Sequence, residues 1–214
     1  MHHTGESARQ SNFFETCTGC HGSSSCCFGP RPPITKERRK TIEAYLEKEN
    51  IPIANAFART EYVFPKEDAE GFCGFYNEEA GKCLVHPVKP ETCVAGPVTF
   101  DVNKQTGKVE WYIKMEKICP LAGIMYRDKR LLQKHLKSAK KEILKLINEL
   151  DPQELEAILK KEEPETIKIG EDRITRDGQM RARTSLKTTR GQIRGEETLY
   201  GSWIAVFQKN VQEE

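Results

Sequence analysis

The sequence contains no run of 18 apolar residues, so no membrane span is expected. It has no Gly-x-Gly-x-x-Gly after a strand and no phosphate loop, which leaves nucleotide binding without a signature. Its start, Met1-His2-His3-Thr4-Gly5-Glu6-Ser7, has neither the basic opening nor the apolar stretch of a secretory signal, so the expected compartment is the cytoplasm. Charge is nearly balanced, at +2 over 214 residues, which argues neither for nor against nucleic acid. Apolar residues are also scarce, at 37%, so the core is modest for the length and something besides apolar burial is expected to help hold it.

Against these absences stand eight cysteines, all between Cys17 and Cys119. In a reducing compartment that number needs an explanation other than a disulfide framework. Cys17-Thr18-Gly19-Cys20 is a Cys-x-x-Cys pair whose thiolates can turn onto one metal, Gly19 allowing the tight turn. Cys26 and Cys27 are adjacent, so their side chains diverge; either they serve two centres or only one is a ligand. Cys73, Cys83 and Cys93 form a second group, with Cys119 further on. Eight soft donors favour zinc or an iron–sulfur cluster over magnesium, calcium or manganese. They suffice for two four-sulfur sites, or for one site plus structural or resolving thiols; Cys119 or Cys26 could be a buried inert thiol, and Cys17/Cys20 a redox pair. His21 and His86 could bind metal, although an orienting or exposed role suits each better, and His135 reads as a packed core residue.

Local patterning places these residues. Thr35 caps a helix over 36–49 with Ile42, Tyr45 and Leu46 on one face. Short strand-like pieces follow at 61–64, 72–76 and 82–86, and 98–102 with 109–115 reads as a hairpin around Asn103–Lys108. Residues 128–149 form an amphipathic helix with a stripe of Leu131, Leu132, His135, Leu136, Ala139, Ile143, Leu144 and Ile147. Asp151-Pro152 starts a second helix ending near Lys161, and the pair is expected to pack on the cysteine part. From Glu163 the chain is polar; its basic stretch reads as a solvated hairpin or mobile loop, with contact to RNA or an acidic protein through 168–194 as the lesser alternative. The apolar burst at 199–207 reads as a strand returning to the sheet.

In Cys17, Cys20, Cys26 and Cys27, then Cys73-Gly74-Phe75, then Gly81-Lys82-Cys83 running to Lys89-Pro90-Glu91-Thr92-Cys93, the chain resembles the YkgJ-type cysteine-cluster family, described as a zinc- or iron-chelating domain. Gly96-Pro97-Val98-Thr99-Phe100 and Cys119-Pro120 also have counterparts in it, and the resemblance covers roughly 17–125. The loop between Cys20 and Cys26 is longer than is usual there, Lys89 stands where an arginine is usual, and His86 where a tyrosine is common. The resemblance implies metal binding. One branch of the family is similar to flagellin lysine methylases, which implies an iron–sulfur cluster, S-adenosylmethionine and a protein substrate.

The expected fold class is therefore α+β. A flexible start (1–16) precedes a metal-organised cysteine domain with short antiparallel strands (17–126), a helical pair (127–162) and a basic polar extension with a terminal strand (163–214). The expected function is a cytoplasmic metal-binding protein with an iron–sulfur cluster or zinc held by Cys17, Cys20, Cys26, Cys27, Cys73, Cys83, Cys93 and Cys119, in a structural or redox/modifying role. The alternative is an S-adenosylmethionine-dependent protein lysine methylase. Neither nucleic acid nor membrane is an expected partner.

Overall fold

The structure, a computed structural model, describes residues 26–161 and 165–173. Cys17, Cys20, His21 and the 199–207 burst lie outside the described residues, as does most of the basic stretch.

Helix α1 (Lys36–Lys48) starts where the sequence places it, since the Thr35 hydroxyl accepts from the Arg38 backbone amide at 3.1 Å. Its Ile42 and Leu46 join Ile34, Phe75 and Val85 in one apolar cluster. Around that cluster the secondary structure is fragmentary. Strands β1 (Phe57–Arg59) and β2 (Val63–Pro65) pair antiparallel, as do the two-residue strands β3 (Tyr76–Asn77) and β4 (Lys82–Cys83). A 3₁₀ turn, His86–Val88, leads to the five-residue helix α2 (Glu91–Ala95).

The second half is more regular. Strands β5 (Val98–Asn103) and β6 (Lys108–Lys114) form the expected hairpin, and β7 (Thr166–Arg173) adds to the other edge of β6, with a register shift at Trp111/Tyr112. The residues of β7 had read as solvated hairpin or loop. They pair because β6 offers a free edge and Ile169 meets the apolar cluster beneath the sheet, two facts that local composition does not carry.

Alternation in β5 and β6 sends Val98, Phe100, Val102, Val109 and Trp111 to one face. There they meet Ala139, Ile143, Leu146 and Ile147 of α4 (Lys129–Glu149), the long helix. Before it lies α3 (Pro120–Arg127), which packs Leu121, Ala122 and Met125 against Ile113; after it comes α5 (Pro152–Leu159), opened by an Asp151/Glu154 capping box. The fold class is thus mixed α+β with short antiparallel strands, as expected. Among the described residues no helix is long and apolar enough to cross a membrane.

The sheet's other face carries a buried charge. Glu110 accepts from Tyr112 Oη (2.5 Å), Lys168 Nζ (2.9 Å) and Asn103 Nδ2 (3.2 Å). Burial alone would raise its pKa, but the three donors outweigh burial and hold the carboxyl at about 2. Its contribution to stability is complete above the ordinary value of 4.5 and is lost as pH falls through about 2. We expect Glu110→Gln to cost on the order of 2 kcal/mol at neutral pH and to flatten the stability profile between pH 4.5 and 2. Urea titrations across that window check this.

Candidate metal centre

Cys26 and Cys27 are carried into the fold by bridges from the first described turn to the loop before β3. Phe28 pairs with Phe72, and the Cys73 amide donates to the Cys27 carbonyl at 2.8 Å. The ring of Phe28 meets Phe72 edge-on and Phe72 stacks on Tyr76, so an aromatic run flanks this junction. Cys73 is fixed from a second side, because the next residue, Gly74, donates to Lys66 O at 2.7 Å. A Cβ on Gly74 would sit 2.7 Å from that same oxygen, so only glycine permits the approach.

Cys83 lies on β4, directly opposite Tyr76, whose amide donates to the Cys73 carbonyl at 2.7 Å. Cys73 and Cys83 both pack against the α1 cluster. Cys93 comes from α2, which packs on α4. At the end of α2, the Ala95 carbonyl is 2.8 Å from His135 Nε2. His135, read from sequence as a packed core residue, thus has a polar task as well. Burial lowers its pKa although the hydrogen bond to Ala95 opposes this, and the carbonyl, which can only accept, takes Nε2–H as the donor.

The sulfurs of Cys26, Cys27, Cys73, Cys83 and Cys93 lie within one another's electrostatic field. Cys26, an exposed residue, accepts a hydrogen bond from the Cys27 thiol, which lowers its pKa to about 6 against partial desolvation; Lys89 and Lys114 assist. Giving that hydrogen bond raises Cys27, and burial and the charges of Cys26, Cys83 and Cys93 raise it further. Burial pushes Cys73 up to about 12 despite a hydrogen bond from the Phe75 amide, and Cys83 and Cys26 add to the rise. Cys83 and Cys93 are raised as well, chiefly by burial. Burial and the neighbouring sulfurs thus disfavour the thiolate form at four of the five, a cost that a bound cation would offset.

These five are free thiols. Cys119 caps α3 and packs with Ile113, Leu121, Ala122 and Met125. Among the described residues, no three Cys, His, Asp or Glu side chains already close on one point as a finished ion site. The donor set nevertheless fits a soft metal, being all sulfur, reduced, and drawn from separate stretches of chain.

Sequence reasoning did not anticipate α2 or the buried Glu91 at its start. A start signal for α2 was present, since Pro90-Glu91 is a proline followed by an acidic first turn, but nothing local marked Glu91 as buried.

No curated protein and no solved structure matches the chain. A family does: CxxCxxCC, "Putative zinc- or iron-chelating domain", matches residues 16–120, a stretch that contains all eight cysteines. Residues 16–120 therefore match the cysteine-cluster family that the sequence resembles, one described as a "Putative zinc- or iron-chelating domain".

Proposed function

We propose that the chain is a metalloprotein in which cysteines from distant segments hold one inorganic centre, an iron–sulfur cluster in the expected form and zinc in the alternative. The observation that carries this reading is the gathering of Cys26, Cys27, Cys73, Cys83 and Cys93, four of them with pKa values pushed up by burial or by their neighbours. A bound cation would reverse that penalty, because a coordinated thiol is deprotonated outright. Cys17 and Cys20, with ligand spacing of their own, would complete the set, and Cys119 is the remaining donor.

Four thiolates complete either a tetrahedral zinc site or an iron–sulfur cluster, so metal and sulfide analysis separates the two where donor count does not. The metal's first contribution is structural. The ligating segments carry strands of only two or three residues, which do not hold themselves together in water. A lysine methylase activity has only the family resemblance behind it, and no residue described above adds to it.

Purification under anaerobic conditions with metal and acid-labile sulfide analysis tests the proposal. Iron with matching sulfide is the expected result. Stoichiometric zinc without sulfide would replace the cluster by a structural zinc site. Protein that takes up neither iron nor zinc on reconstitution would overturn the reading altogether.

A further inference from the structure

Glu91 is fully buried, at 0% exposure. Its Oε1 accepts from the Thr35 hydroxyl at 2.6 Å and lies 3.6 Å from Arg38 Nε, while its Oε2 has no hydrogen-bond partner among the described residues. Arg38 in turn reaches Glu142 of α4 through Nη2 at 2.5 Å. One carboxylate thus ties the start of α2 to α1, and through Arg38 to α4.

An arrangement of this kind is poor value as stability alone. A buried carboxylate oxygen without a donor is destabilising, and buried ion pairs are commonly matched by apolar residues of equal size. What the clamp does supply is direction. A helix of five residues has no independent stability, so its orientation is set entirely by what holds its ends. Glu91 holds the first residue, and His135 holds the last through the Ala95 carbonyl. Cys93 sits between them, two residues beyond Glu91 and about 200° further round the helix, so the side on which Glu91 is held fixes the side on which Cys93 lies.

We infer that Glu91 is a positioning residue for the metal centre: its clamp to Thr35 and Arg38 aims the Cys93 sulfur toward the other cysteines. The inference rests on the metal-binding reading above. Cys73 is the internal reference, because it is held by the Cys27 carbonyl and the Gly74–Lys66 contact, neither of which involves the clamp.

The test uses the full chain. Wild type, Glu91→Gln, Arg38→Met and Thr35→Ser are compared by residue-resolved alkylation of the reduced, metal-free protein, and by the rate at which the metal-loaded protein loses metal to a chelator. Glu91→Gln keeps the shape but removes the charge that faces Arg38. It is expected to speed Cys93 alkylation and metal loss by about tenfold, the usual effect of losing a group that orients a ligand, with Cys73 within about twofold of wild type. Arg38→Met should move Cys93 in the same direction, and it decides the matter if Glu91→Gln does not fold. Thr35→Ser, which keeps the hydroxyl, should behave as wild type.

A folded variant with unchanged Cys93 reactivity would overturn the inference. So would equal increases at Cys73 and Cys93, since that is general loosening rather than aim. A wild-type chain that takes up no metal would defeat the metal-binding reading, while the alkylation comparison, which needs no metal, would still decide whether Glu91 orients Cys93.

Discussion

Removal of the metal under reducing conditions is expected to unfold the stretch from Phe57 to Val88 while the β5–β6–β7 sheet and α4 remain folded. The two parts are held by different forces. Beneath the sheet lie Trp111, Phe100, Ile143, Leu146 and their neighbours in one continuous apolar cluster, backed by two full-length ladders of backbone hydrogen bonds. Between Phe57 and Val88 the ladders are two or three residues long, and Phe75 and Val85 are the members of the core that this stretch gives to the α1 cluster. Pairs so short are marginal in water, and ligation of thiolates supplies free energy on the order of 10 kcal/mol.

With the metal gone, burial favours the protonated form of Cys73, Cys83 and Cys93, and rebinding must displace those protons. Hydrogen exchange on loaded and stripped protein reads this directly. Protection should vanish for amides such as those of Gly74, Tyr76 and Leu84, and persist across Val98–Ile113 and Ala139–Ile147. Equal protection of Gly74, Tyr76 and Leu84 in both forms would show that the metal is not what holds this stretch.

The same contrast explains what the sequence disclosed. Helix α4 was legible because its apolar period continues over 21 residues, and the β5/β6 hairpin because its alternation and its Asn103–Lys108 turn agree. In both, neighbours in sequence are neighbours in space. Around the cysteines that link breaks. The piece 72–76 reads as a strand, yet only Tyr76 lies in one, because Phe72 and Cys73 are taken by bridges to Phe28 and Glu67. Strand β1 is three residues, and its Phe57 is held by an edge-on contact with Phe75 and by Arg39 over its ring. Partners so distant leave no periodic trace. The cysteines themselves were legible from residue chemistry alone. The buried carboxylate that braces Cys93 was not, since nothing local distinguishes Glu91 from an exposed glutamate beside a proline.

Trp111→Ala is expected to destabilise the sheet half by about 3–5 kcal/mol, whether or not metal is bound. Trp111 is fully buried in the centre of β6, with Phe100 opposite it and α4 beneath. Its indole Nε1 donates to Asp172 Oδ2 at 2.6 Å, and Lys140 Nζ meets the same oxygen at 2.5 Å while lying 5.4 Å from the ring centroid. The indole therefore does three things. It fills the space between sheet and helix, it satisfies a carboxylate that is itself buried, and it offers Lys140 a π face. Truncation removes all three and leaves Asp172 with Lys140 as its one remaining partner in this group. Trp111→Phe keeps most of the volume and loses the donor, so a smaller cost of about 1–2 kcal/mol is expected. Urea unfolding followed by hydrogen exchange separates the two halves. Loss of protection should fall on β6, β7 and the Ala139–Ile147 segment of α4, with metal content unchanged at low denaturant. If Trp111→Ala instead released metal in native buffer while the sheet stayed protected, the division of labour between apolar burial and ligation would be reversed.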